Sequence, residues 1–185
     1  VALTTKQVVA ISTDNVAALT TTQVQAFTTR QVEALTNPQV AALGTTNVQY
    51  LTAGTPIVLD LNGNGISTQS INNGVQFDVF GVGQNVNTGW IAGGDGLLVM
   101  DRYHDGAVSG GAELFGIGTT LANGQRAGNG YMALSELDTN GDGSISAADT
   151  NFADLMVWVD TDSNGVSQAP ELHSLSSLGI TQLNL

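Results

Sequence analysis

The chain has 185 residues, 16 acidic and 4 basic side chains, and a net charge of −12. Residues 1–54 are neutral, Lys6 and Arg30 balancing Asp14 and Glu33, so the charge falls on residues 55–185, where only Arg102 and Arg126 oppose 14 acids. That part excludes nucleic acid and anionic membrane as partners, since both need a basic surface, and points to cations. There is no cysteine, so disulfides and thiolate metal sites cannot staple the fold, and a metal held by oxygen can. No apolar run approaches the ~20 residues of a membrane helix, so no membrane insertion is expected. No signal peptide is read at Val1; a fragment or processed product stays open, and the export route is not legible from this end.

Residues 3–52 repeat with a period of eight, from LTTKQVVA through ISTDNVAA, LTTTQVQA, FTTRQVEA and LTNPQVAA to LGTTNVQY. A single helix does not suit this period, because eight residues at about 100° each rotate the apolar stripe by about 80° per repeat. A strand does not suit it either, since Leu3 and Val8 would point to opposite faces. Short capped turns do. Thr4, Ser12, Thr20, Thr28, Thr36 and Gly44 occupy an N-cap position, and Gln or Asn follows three residues later as in a capping box. The Leu before each cap and the Val at the fourth helical position form a hydrophobic staple. Pro38 falls in a first turn, where its missing N–H costs little. Such turns are unstable alone and must stack into a coil; Ala10, Ala18, Ala26, Ala34 and Ala42 are expected at the close approach between turns. The competing reading is a low-complexity Thr/Gln/Ala linker. The coil is expected to serve spacing or self-association, as a homo-oligomer or filament, because a repeat stack has two open ends.

Four Asp-rich loops follow. Residues 138–149, DTNGDGSISAAD, have the calcium-loop spacing: Asp138, Asn140 and Asp142 as side-chain ligands, Gly143 at the turn, Ser144 through its carbonyl, Ser146 directly or through water, and Asp149 closing. Residues 160–171, DTDSNGVSQAPE, offer Asp160, Asp162, Asn164, the Val166 carbonyl and Glu171, with Ser167 where an apolar residue is usual. Residues 101–113 offer Asp101, Asp105, the Ala107 carbonyl, Ser109 and Glu113, with Tyr103 at a ligand position and the closing Glu one residue late. Residues 60–66 offer Asp60, Asn62, Asn64 and the Ile66 carbonyl, but Ile71 stands where a closing acid belongs, so an acid from elsewhere must complete the shell. Hard oxygen donors without imidazole clusters favour Ca²⁺ over Zn²⁺. Each loop also reads as a plain polar turn without metal. FDVFGVG, residues 77–83, has the same rhythm with Phe80 and Val82 at ligand positions and reads as a metal-free turn. Strands are expected at 57–61, 75–80, 97–100 and 155–159, helices at 111–115, 130–137, 147–154 and 169–178, and Trp90 and Trp158 in the core. His104 is expected to face water, and His173 to be an ordinary residue of the last helix.

The fold expected is α+β: a coil of short capped helical octads over 1–54, then a small acidic calcium-binding module over 55–185 with EF-hand-like loops.

PIVLDLNGNGI, GVQFDVFGVG, DGLLVMDRYHDGAVSGGAELFG, NGYMALSELDTNGDG and MVWVDTDSNGVSQAPELHSL resemble, in order, the calcium-dependent self-processing module of FrpC-type iron-regulated proteins, within the RTX-type secreted bacterial proteins. The resemblance implies calcium-induced folding, type I secretion and a cell-surface or extracellular life. It also implies a cleavage site, since self-cleaving members carry Asp before the Pro that opens the module. Here Thr55 precedes Pro56 and no Asp-Pro pair occurs, so the cleaving carboxylate is missing. Glycine-rich RTX nonapeptides are absent as well; GGDGLLVMD at 93–101 begins like one but carries Leu98 where Asp is required. The expected function is that of a non-enzymatic, calcium-folded structural module of a large secreted surface protein, adhesin or fibre. The alternative is calcium-triggered autoprocessing or cross-linking at Thr55–Pro56. An intracellular calcium sensor fits less well, since only three Met are present and a strand precedes the 160–171 loop.

Overall fold

A computed structural model describes residues 3–48, 50–51, 56–92 and 94–185. Thr55 and the expected domain boundary at 54/55 lie outside the described residues.

The octads fold as short helices: α1 (Thr5–Val9), α2 (Thr13–Ala17), α3 (Thr21–Gln25), α4 (Thr29–Glu33), α5 (Asn37–Ala42) and α6 (Gly44–Val48). Thr4, Thr20, Thr28 and Thr36 each form a reciprocal capping box with the Gln three residues on. Ser12 caps α2 through the Asn15 N–H without the return bond, Asn being one methylene shorter than Gln. Gly44 departs from the expected pattern. Its φ is +66° and it follows Leu43, the C-cap of α5, so it ends that helix in the left-handed position glycine favours instead of capping the next.

Three octads make one turn of the coil, so α1 lies against α4, α2 against α5 and α3 against α6. Val8, Val16, Val24, Val32, Val40 and Val48 point inward and form one buried cluster. Ala42 packs against the valine cluster and Ala34 is half-buried, but Ala10, Ala18 and Ala26 are exposed C-caps that do not mediate the approach. The Gln/Asn amides do. Gln31 Nε2 donates to the Leu3 carbonyl at 2.6 Å, Gln39 Nε2 to Val8 and Ile11 at 2.9 and 2.8 Å, and Asn47 Nδ2 to Leu19 at 2.9 Å. Gln31 and Gln39 thus each cap their own helix and tie it to the turn before. The second turn packs on the acidic part: Phe80, Val86 and Ile117 join the valine cluster, and Gln84 Nε2 reaches the Ala41 carbonyl at 2.8 Å.

The acidic part is built on an antiparallel sheet ordered β1 (Val58–Leu59), β6 (Gly96–Met100), β8 (Leu155–Trp158), β9 (Leu172–Ser174). Three two-stranded ribbons surround it: β2 (Ser67–Gln69) with β5 (Trp90–Ala92), β3 (Val75–Phe77) with β4 (Val86–Thr88), and β7 (Ser144–Ser146) with β10 (Gln182–Asn184). The four expected strands are present, three of them shortened and β6 longer by Gly96. Helix α7 (Gly130–Ser135) lies within the expected 130–137 and buries Ala133 and Leu134.

Three expected helices are not formed. Residues 111–115 form a turn that touches the sheet through a single bridge from Leu114 to Val99, and their carbonyls are taken: Met100 N donates to Glu113 O at 2.9 Å and Ile57 N to Phe115 O at 3.0 Å. Residues 147–154 are a turn and one 3-10 turn (Phe152–Asp154), since the chain must enter β8 at Leu155. Residues 169–178 split into two 3-10 turns around β9, whose backbone completes the sheet edge on β8. His173 therefore lies half-buried in a strand opposite Val157. The loops consequently lack the long flanking helices of an EF-hand.

Candidate metal centre

The four candidate loops and the 78–83 turn share one backbone. Their fourth residue is left-handed (Gly63, Gly81, His104, Gly141 and Ser163, φ 54° to 75°), and so is the glycine at their sixth (Gly65, Gly83, Gly106, Gly143 and Gly165, φ 72° to 90°). In each, the N–H of that glycine donates to Oδ2 of the leading Asp: Gly65 to Asp60 at 2.8 Å, Gly83 to Asp78 at 2.6 Å, Gly106 to Asp101 at 2.9 Å, Gly143 to Asp138 at 2.9 Å and Gly165 to Asp160 at 2.8 Å. The Gly65 and Gly106 bonds are the largest influences holding the Asp60 and Asp101 carboxyls below their usual range. His104 is exposed and takes the left-handed position otherwise held by glycine or Ser163.

Two loops gather three carboxylates. Asp101, Asp105 and Glu113 each place an oxygen within 4.8 Å of the others, and so do Asp160, Asp162 and Glu171. Asp138, Asp142 and Asp149 do not come as close. There Asn140 Nδ2 holds Asp142 Oδ2 at 3.0 Å, and Asp149 turns back to the N–H groups of Thr139 at 2.8 Å and Ser146 at 2.9 Å.

The 160–171 loop is the most enclosed. Asp160 is 6% and Glu171 4% exposed. Burial pushes the Asp160 carboxyl up, against the opposing pull of the Gly165 N–H and the Trp90 indole. Burial also acts on Glu171, but the Thr161 N–H and hydroxyl, the Trp158 indole and the Gln168 N–H together hold its carboxyl below the usual value. Both tryptophans are core residues, as expected, stacked with Phe77 at 5.1 to 5.8 Å. They have a second role that the sequence reading missed. Trp90 Nε1 donates to Asp160 Oδ2 at 2.6 Å and Trp158 Nε1 to Glu171 Oε2 at 3.3 Å, orienting candidate ligands from behind. Thr139 and Thr161, each second in its loop, bond the closing acid through both N–H and hydroxyl. The Asp-Thr pair heading both loops was the available signal.

In the 101–113 loop Glu113 is fully buried. Its Oε2 accepts from the Ser109 N–H at 2.7 Å and hydroxyl at 3.0 Å, while Oε1 is buried with no hydrogen-bond partner. An orphaned carboxylate oxygen beside two further carboxylates fits a hard cation. Tyr103 is 62% exposed and does not enter the cluster.

The 60–66 loop has its leading Asp in place, with Asn62, Asn64 and Ile66 exposed. The 77–83 turn is served differently. Arg126 Nη1 donates to the Phe80 carbonyl at 2.9 Å and the Ile117 carbonyl at 2.6 Å. Burial lowers the Arg126 pKa to about 10, with Asp78 opposing the shift.

Residues 57–185 match the SPM domain and residues 1–29 the ALTTAQ repeat. The iron-regulated protein FrpA of Neisseria meningitidis serogroup C is 48% identical over 132 residues, which cover 70% of this chain and 12% of that protein. The chain thus spans about an eighth of that relative's length. Since the SPM match takes in the whole sheet and every one of these loops, this chain belongs to the SPM domain family.

Proposed function

We propose that this chain is a non-enzymatic, calcium-binding structural module of a large secreted bacterial surface or extracellular protein. Calcium is both ligand and folding staple, and the octad coil serves spacing or self-association. The observation that carries this reading is Glu113: a fully buried carboxylate with one unpartnered oxygen, facing Asp101 and Asp105. In the loaded state Asp101, Asp105 and Glu113 hold one ion and Asp160, Asp162 and Glu171 a second. Asp138, Asn140, Asp142, Ser144, Ser146 and Asp149 supply oxygens for a third. The ion supplies charge neutralisation where carboxylates otherwise repel, and the threonines and tryptophans behind keep their oxygens converged. At about 100-fold excess over Kd each site adds about 2.7 kcal/mol to stability.

The extracellular setting is supported by the similarity to FrpA. Thr55 before Pro56 favours an uncut chain, so intact mass should stay unchanged on incubation with calcium. The test of the main reading is far-UV circular dichroism and thermal melting in millimolar calcium and then in chelator. Calcium is expected to raise the Tm and sharpen the transition; superimposable melts would refute the proposal.

A further inference from the structure

The 60–66 loop lacks a closing acid of its own, and the fold supplies one from another part of the chain. Strands β1 and β6 pair Val58 with Leu97 and Leu59 with Gly96. The next pair in that register is Asp60 and Asp95. Asp95 is 2% exposed. Its Oδ2 accepts a hydrogen bond from the Ser67 N–H at 2.7 Å. In the other three loops the closing acids accept from the N–H of the ninth residue, Ser109, Ser146 and Gln168, whereas Ser67 is eighth counted from Asp60. Asp95 Oδ1 is buried with no hydrogen-bond partner. The turn carrying Asp95 also lies against the loop: a Cβ on Gly94 would stand 3.8 Å from Asn62 Nδ2.

Two carboxylates opposite one another on neighbouring strands repel, and a buried, unsatisfied carboxylate oxygen is costly. The chain's own cations lie elsewhere. Arg126 is bonded to Phe80 and Ile117, Arg102 lies over the Phe115 ring at 5.4 Å, and Lys6 and Arg30 belong to the coil.

We infer that Asp95 is the closing ligand of a further calcium site, completed across strands β1 and β6. Its remaining oxygen donors are the side chains of Asp60, Asn62 and Asn64 and the carbonyl of Ile66. This rests on the calcium reading above and extends it, because the site joins two segments 35 residues apart. Metal there clamps β1, the first strand of the module, to the β5–β6 turn.

The experiment counts ions bound to the full chain by native mass spectrometry during a calcium titration. Asp95→Asn and Asp60→Asn are each expected to bind one ion fewer than the parent, and the double substitution also one fewer. An unchanged count for Asp95→Asn, or a double variant losing two ions, overturns the inference and leaves the calcium reading standing. A parent chain that binds no calcium overturns both. If Asp95→Asn does not fold, the carboxyl ¹³C resonances of the Asp-labelled parent decide. The Asp95 signal is expected to shift together with that of Asp60 as calcium is added, and a stationary Asp95 signal overturns the assignment.

Discussion

The Ser167 hydroxyl accepts a hydrogen bond from the Val108 N–H at 2.6 Å and donates one to the Val108 carbonyl at 3.3 Å. Each residue is eighth in its loop. The two three-carboxylate loops are therefore joined back to back, one residue's backbone satisfied by the other's side chain. Ser167 departs from the usual apolar choice because it replaces a backbone pairing with a hydroxyl. Ser167→Ala strands both polar groups of buried Val108 and should cost about 1–3 kcal/mol. It should also reduce the coupling between the two sites. Thermal melts and the slope of a calcium titration check both effects.

The indole of Trp90 holds Asp160 from the core side. Trp90→Phe keeps an aromatic ring against Phe77 but removes that donor. Affinity at the 160–171 loop should fall by about 10- to 100-fold, the usual effect of losing an outer-shell partner. The emission of the remaining Trp158, in contact with Glu171, reports the titration; an unchanged midpoint would show that the indole plays no part in binding.

In the coil, Gln7 and Gln39 both close capping boxes, but only Gln39 is buried, its amide reaching back to carbonyls of the preceding turn of the coil. Gln7→Ala should cost no more than a lost cap, about 1 kcal/mol. Gln39→Ala also removes the donor to the half-buried Ile11 carbonyl and should exceed that by about 1–3 kcal/mol. Equal losses in chemical denaturation would mean that the amide ladder does not hold the coil.

The Asp60, Asp101, Asp142, Asp149 and Glu171 carboxyls are held below their ordinary values, chiefly by N–H and hydroxyl donors that outweigh burial. A depressed folded pKa contributes stability that is present above the unfolded value of ~4 and is lost as pH falls through the folded one. Asp160 runs the other way: burying its charge costs stability at neutral pH, and the cost is relieved on protonation. Five groups outnumber one, so the Tm should fall as pH drops from 5 to about 2, with calcium binding lost over the same interval. A Tm that rises on acidification would contradict this balance.

Much of this molecule was legible along the chain. The octads could be read because caps, Gln and Val recur locally, and a capping box needs no distant partner. The Asp–Gly loops were legible for the same reason: Asp160 binds the N–H of Gly165, five residues on. What escaped depends on pairing across the fold. Asp95 stands 35 residues from Asp60 and becomes its neighbour only through β1 and β6. Strands of three residues such as β2 and β7 carry too little alternation to be seen, and exist because β5 and β10 are there to pair with them. The helices expected over 147–154 and 169–178 rested on local apolar patterning, and sheet pairing at Leu155 and Leu172 overrode it. Gln31, Gln39 and Asn47 were read as caps, while their inter-turn role needed the stacking of three octads to appear.

The most direct measurement is an anomalous difference map from crystals grown with calcium. The account predicts peaks bounded by Asp101, Asp105 and Glu113 and by Asp160, Asp162 and Glu171, at 2.3–2.6 Å from their oxygens. A map at full calcium occupancy conditions with Glu113 Oε1 still unpartnered and no peak in either loop would contradict it.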